Sequence, residues 1–359
     1  MARDRHLFPG GNTPDGFNSY YQYILPQDKA RHIFCIKGGP GVGKSTFMKK
    51  IGEAMGERGL AAEYLHCSSD PGSLDGLVLP ELAVAFIDGT APHVVDPKNP
   101  GAVDEIINLG QYWDLERVKE HRRDIMDDNA ELGKRFARVY RYLGAAKRLY
   151  DDAAVLHDEC TAQTAADNEL EALLPLFEGR RLGSGLGRER RMFASAITPA
   201  GVVNYLDGLL SGYARVYAVE GAGTQPALFL RRVADEALRR GLDAEVFYCP
   251  MEPGLKPEHV LIPALSAAFT WVNRWHTALK PEYARIDFSQ YIDSQALAKR
   301  SEALLFANEQ FSLLLRKAVA TLAGIKALHD HMETFYIPSM DFEAITKLRE
   351  GVIQRILTL

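Results

Sequence analysis

IKGGPGVGKSTFMKK, Ile36 to Lys50, sets a run of glycines between an apolar stretch and an amphipathic one. The residues before it, HIFCI (His32 to Ile36), have the length and the β-branched or aromatic content of a buried strand. Lys44 to Arg58 alternates at helical spacing and stops at Gly59, a residue that ends helices well. Strand, glycine loop and helix therefore follow one another without a break. Within them Gly38, Gly43, Lys44 and Ser45 satisfy the pattern G-x-x-x-x-G-K-[ST].

That pattern carries a specific chemistry. A chain of phosphates must be wrapped by backbone N–H groups, which Cβ atoms would obstruct, so Gly38, Gly41 and Gly43 keep the approach open. The helix starting near Lys44 adds the partial positive charge of its N-terminus. Lys44 is expected to reach the β- and γ-phosphates, Ser45 to ligate Mg²⁺ and Thr46 to support the α-phosphate side. The candidate nucleotide site is thus Gly38, Gly39, Gly41, Val42, Gly43, Lys44, Ser45 and Thr46. A second Mg²⁺ ligand is expected on a neighbouring strand, and LAVAFID offers Asp88 at the end of an apolar run. The competing reading of Asp88 is a turn residue before Gly89.

The chain also resembles itself. At an offset of 182 residues, FMKKIGEAMGERGLAAEYLHCSSDPG from Phe47 lies over FLRRVADEALRRGLDAEVFYCPMEPG from Phe229, with nine identities. HLFPGGNTPDGF from His6 lies over RMFASAITPAGV from Arg191, and after one inserted residue Phe86 matches Phe269 and His93 matches His276. This points to a gene-level duplication with domains 1–185 and 186–359, the boundary falling in GRRLGSGLGRERR. In both halves Thr-Pro (Thr13-Pro14, Thr198-Pro199) predicts a helix start. AEYLHC and LAVAFI predict two further strands, giving an α/β sheet with a parallel core. From about 104 to 178, and again from about 286 to 335, apolar residues recur at helical spacing: Ile125, Leu132, Val139 and Leu143, then Phe311, Leu322 and Ile325. Packed helical hairpins account for both stripes, with an oligomer or protein partner as the alternative use.

A length of 359 residues suits two domains, and 47% hydrophobic against 25% charged residues is an ordinary globular balance. A formal charge of -5 gives no general attraction to nucleic acid or anionic membrane. Four scattered cysteines (Cys35, Cys67, Cys160, Cys249) indicate neither a disulfide framework nor a zinc site, and His66 beside Cys67 makes a poor metal pair. MARDRHLFPGG lacks an apolar signal region, and no run is long enough to span a bilayer, so a cytoplasmic protein is expected.

On GGPGVGKST, YLHCSSDPGSLDGLVLPELAVAFIDGTAPH and RMFASAITPAG, the chain resembles the P-loop NTPase superfamily, and within it a bacterial group of tandem P-loop proteins described as ATPases or nucleotide-kinase-like. The resemblance covers nearly the whole chain. It implies an α/β fold of two P-loop-like domains with mainly parallel sheets and helical-hairpin extensions. It also implies ATP and Mg²⁺ as ligands and a small-molecule acceptor or water as the second partner. The second copy departs from the pattern: Gln225, Pro226 and Ala227 stand opposite Gly43, Lys44 and Ser45, and Trp271 opposite Asp88. Pro226 also lacks an N–H. One active site, in the first half, is therefore expected.

The residue after Asp88 is Gly89 rather than a water-activating Glu, which favours transfer to an acceptor or a base from elsewhere. No Asn-Lys-x-Asp guanine signature is present, so ATP is expected over GTP. Candidate bases are Asp70, matched by Glu252 and divided between loop cap and substrate contact, and Asp75, opposite which Pro257 falls. Thr90 and His93 are further candidates to face the γ-phosphate, though His276 persists beside the degenerate loop, which favours a structural histidine. Arg180, Arg181, Arg188, Arg190 and Arg191 suggest either a phosphate lid or a solvated linker. Kinase-like enzyme, ATPase and nucleotide-dependent switch with little turnover remain as readings.

Overall fold

The computed structural model describes residues 4–90, 94–178, 185–277, 280 and 282–358. The first half runs β1 (Arg5–Leu7), β2 (Gly10–Thr13), β3 (Gly16–Ser19), β4 (His32–Lys37), α1 (Lys44–Gly56), β5 (Glu63–His66), β6 (Leu74–Leu79), β7 (Val84–Asp88), β8 (Asp104–Asn108), α2 (Leu115–Glu120), α3 (Arg122–Asp158) and α4 (Ala165–Leu173). The second runs β9 (Glu189–Met192), β10 (Ser195–Thr198), β11 (Gly201–Asn204), α5 (Leu206–Leu210), β12 (Arg215–Glu220), α6 (Gln225–Arg239), β13 (Ala244–Tyr248), β14 (Pro257–Ile262), β15 (Ala267–Val272), β16 (Ala284–Asp287), α7 (Ser294–Ala298), α8 (Ser301–Tyr336) and α9 (Phe342–Thr358).

Among the described residues each half forms a six-stranded mixed sheet, ordered β1-β5-β6-β7-β4-β8 and β9-β13-β14-β15-β12-β16. The two orders are equivalent strand for strand. The glycine-loop strand β4 lies parallel to β7 on one side and β8 on the other. β6, which the sequence reading missed, runs antiparallel to both β5 and β7, so the sheet is mixed, with the other five strands pointing one way and β6 the other. All six residues of β6 are buried, but Asp75-Gly76 within it imitates a turn pair. Residues 104–108 also differ from expectation, adding an edge strand instead of starting the helical region.

Thr13-Pro14 and Thr198-Pro199 do not start helices. They close the hairpins β2–β3 and β10–β11, with Gly16 at φ +118 and Gly201 at φ +104. The threonine hydroxyls donate across each turn, to the carbonyls of Gly16 at 2.7 Å and Gly201 at 2.9 Å. Proline and a hydroxyl serve both a helix start and a tight turn, and the glycine two residues later decides for the turn.

The helical region holds the largest departure. α3 has 37 residues and α8 has 36, roughly 55 Å each at 1.5 Å per residue, and they pack antiparallel on one another. Arg135 of α3 donates to the carbonyl of Gly324 at 3.0 Å, and His331 of α8 lies 2.8 Å from Asp128. Their seam consists of Ile125, Leu132, Val139 and Ala146 against Phe311, Ala318, Ile325 and Met332, every seventh residue on each helix. This is the spacing of a coiled coil. The return helices then cross over. α4 packs on α6 of the second half, Ala166 donating its N–H to Gln225 and Asp167 pairing with Arg232. α9 packs on α1, and Ile345, Val352, Ile353 and Ile356 join Phe34, Phe47, Ile51 and Phe86 in the first half's core. Each half is finished by a helix from the other.

The sheets meet at their edges, where Phe8 and Phe193 exchange backbone hydrogen bonds of 3.0 Å. A four-residue ionic cluster flanks that junction: Arg5 and Arg190 each bond both Glu63 and Glu245. Arg190 is therefore held in a structural cluster. Arg188 pairs with Asp28 and Arg191 with Glu189, while Arg180 and Arg181 lie outside the described residues. No described helix is long and apolar enough to cross a membrane.

Burial alone would raise the Glu245 carboxyl, but Arg5 and then Arg190 outweigh it and hold it below the usual carboxylate range. A depressed folded pKa gives stability that is present above the ordinary carboxylate range and lost as pH falls through the folded value. Glu245→Gln is expected to cost about 3 kcal/mol at neutral pH and to flatten the acid limb of the Tm-against-pH curve. Equal melting of both proteins at pH 7 would remove the cluster from any stabilising role. Ile353→Ala is expected to lower unfolding stability by about 2–5 kcal/mol in denaturant titration, as for a core leucine or isoleucine, despite its place near the C-terminus.

Candidate functional site

The glycine loop joins the C-terminal end of β4 to α1. Gly38 (φ +152), Gly41 (φ +68) and Gly43 (φ +85) all adopt conformations that favour glycine, and a Cβ on Gly38 would come within 2.7 Å of Val42. Val42 is buried and anchors the loop, whereas Thr46 is exposed on the first turn of α1. Lys44 Nζ donates to the carbonyls of Gly38 at 2.9 Å and Gly39 at 2.8 Å, which curls the loop around the ammonium. Ser45 Oγ accepts from the N–H of Leu74 at 3.0 Å and so ties α1 to β6.

Asp88 ends β7 level with Ile36 of β4, which carries its carboxylate to the same edge of the sheet as the loop. Its Oδ2 lies 3.6 Å from Lys44 Nζ, and both side chains are mostly buried. The other oxygen accepts from the N–H of Thr90 at 2.9 Å and from its hydroxyl. Asp88 thus faces the lysine and caps its turn at once, and Thr90 serves as its orienting partner. Lys37 fixes the following segment by donating to the carbonyls of Gly89 and Val95 and to Asp96, each at 2.8 Å. His93 lies outside the described residues.

The two acids proposed as bases separate. Asp70 accepts from the N–H of Gly72 and the hydroxyl of Ser73, and lies 3.7 Å from Lys326 of α8. Glu252 lies 3.6 Å from Lys147 of α3, so each half uses this acid to hold the other half's long helix. Asp75 is buried on β6. Burial first, then the Asp75 charge, pushes Tyr21 and Cys67 well above their ordinary values, which keeps phenol and thiol protonated beside it. Its counterpart is Glu258 rather than Pro257. Leu74 faces His66 as Pro257 faces Tyr248, and Lys256 takes the place of Ser73, each giving its carbonyl to the equivalent cysteine N–H, so the extra residue of the second half lies before Lys256. An acid at this place is common to both halves, which removes the argument that singled out Asp75.

Residues distant in the chain, Trp113 of the same half and four of the second half, complete the surroundings of the loop. Trp113 and Tyr336 lie against Gly39, Ile337 and Glu333 against Gly41, and Phe342 against Gly43. Their long sequence separation hid them from any local pattern. In the second half the loop is shorter, residues 221–224 against 38–43. The Asp158 carboxylate, from the end of α3, accepts from the N–H and the hydroxyl of Thr224, both at 2.8 Å. A protein anion therefore occupies the start of α6. Trp271, opposite Asp88, donates to the carbonyl of Gly221 at 2.9 Å.

Gly41→Ala is expected to lower stability by about 1–3 kcal/mol, because the position is left-handed and Ile337 stands 2.9 Å from the added methyl. Thermal melting checks this, and an unchanged Tm would mean the loop is not held in this form. Compared with known families, with curated proteins and with solved structures, the chain matches none.

Proposed function

We propose that the first half binds Mg-ATP and acts on its γ-phosphate, with water or a small molecule as acceptor, and that the second half has no such activity. The observation that carries this reading is the pairing of Lys44, at the start of α1, with Asp88, at the end of β7 beside the loop strand β4, at the mouth of a loop in which Gly38, Gly41 and Gly43 take the positive φ that favours glycine. The residues suit the ligand. Backbone N–H groups from Gly39 to Thr46 would cradle the phosphates, Lys44 would exchange its carbonyl partners for phosphate oxygens, and Ser45 with Asp88 would hold the metal. Bound Mg²⁺ supplies charge neutralisation to the phosphates.

Within the chain, Thr90 keeps Asp88 oriented and Lys37 closes the segment behind it. No acid follows Asp88, because Gly89 comes next. This supports an acceptor-dependent kinase-like activity over hydrolysis by an adjacent glutamate. The contacts of Glu333, Tyr336 and Ile337 with the loop favour a second reading, in which nucleotide occupancy shifts the long helices and turnover is slow.

ADP release from the full chain with Mg-ATP, alone and with pooled small-molecule metabolites, separates these. Lys44→Ala is expected to lower turnover by roughly 10²-fold or more, and Pro226→Ala to leave it unchanged. Release only with metabolites identifies a kinase, and release without them an ATPase. Turnover unaltered by Lys44→Ala overturns the site, while tight binding without turnover selects the switch.

A further inference from the structure

The second half holds a buried group of metal-ligating side chains that the first half does not repeat. Glu258 and His259 are consecutive on β14, and His276 follows β15, returned by a bridge between Asn273 and His276. All three are at least 97% buried, and one ligand atom from each lies within 4.8 Å of the others. Their own hydrogen bonds leave the inner atoms over. His259 shares a 2.8 Å hydrogen bond between Nδ1 and the Thr270 hydroxyl, and Glu258 accepts from Asn273 Nδ2 at 3.2 Å.

Among the described residues nothing bonds His259 Nε2 or either ring nitrogen of His276. The two rings stand edge to face with centroids 4.4 Å apart, and Glu258 Oε2 is 4.0 Å from His276 Nδ1. Buried polar atoms normally find partners, and an orphaned nitrogen from each of two imidazoles beside one carboxylate asks for a shared one.

We infer that Glu258, His259 Nε2 and one ring nitrogen of His276 bind a divalent first-row transition ion, zinc foremost. Two imidazoles and a carboxylate suit zinc and its neighbours, whereas Mg²⁺ and Ca²⁺ prefer oxygen alone. Thr270 on His259 and Asn273 on Glu258 have the places of outer partners that fix ligand orientation. Three protein ligands leave a coordination position open. Asn273 also lines a cavity of about 310 Å³ together with Trp271, Trp275 and Lys256. In the first half Asp75 and Gly76 occupy the places of Glu258 and His259, so an imidazole is missing there. The site belongs to the half whose loop has lost its lysine.

The full chain, stripped with chelator and titrated with Co²⁺, tests this through its visible d–d absorption, and elemental analysis after Zn²⁺ loading gives the stoichiometry. One ion per chain is expected, with the absorption lost in His276→Ala. Thr270→Val, which removes only an outer partner and leaves the sheet intact, is expected to weaken metal affinity about 10–100-fold. The surface group of exposed His329 and Asp330 with half-buried Glu333 is the internal control, and His329→Ala should leave the absorption unchanged. Absorption lost in His329→Ala but kept in His276→Ala overturns the assignment, as does stripped protein that takes up no Co²⁺.

Discussion

The antiparallel seam between α3 and α8 is the constraint on which the molecule's arrangement rests. A helix of this length carries an apolar stripe far longer than its own sheet can cover, and heptad spacing on both helices makes each the natural cover for the other. Once they pair, the positions of their ends are set. α3 ends beside the second half's loop, α8 ends beside the first half's loop, and the return helices α4 and α9 pack on α6 and α1 of the opposite halves. Neither half closes its core unaided.

Charge follows the same approximate two-fold relation. Arg5 and Arg190 sit between Glu63 and Glu245, so two like-charged pairs become tolerable only in each other's presence. Asp70 with Lys326 and Glu252 with Lys147 repeat the idea at the helices. The relation fails at the loops, where the two halves diverge. Lys44 and Asp88 face each other in one, while in the other Asp158 and Trp271 satisfy the backbone groups from within the protein.

Local pattern was a good guide where one short segment forms the feature. The strand-loop-helix around Lys44 and the strand ending in Asp88 could both be read residue by residue. It misled where two structures share a signal. Thr-Pro marked a turn rather than a helix, and Asp75-Gly76 sat inside a buried strand. Alignment without structure placed Pro257 opposite Asp75, because an extra residue in the turn before Lys256 leaves no local trace of where it sits. The Glu258, His259 and His276 group was hidden for another reason: β14 and β15 supply it from neighbouring strands, and only His276 had stood out.

The sequence by itself determined the internal repeat in outline, the strand, glycine loop and helix of residues 32–56 and the different residues that stand at that loop in the second copy, since these depend on residue types at fixed short spacing. Tertiary structure alone decided which helix covers which core, which side chains of the C-terminal half brace the loop, and which buried polar atoms converge. Those outcomes depend on contacts between residues up to about 300 positions apart, where helical periodicity specifies a buried face without naming the partner that buries it.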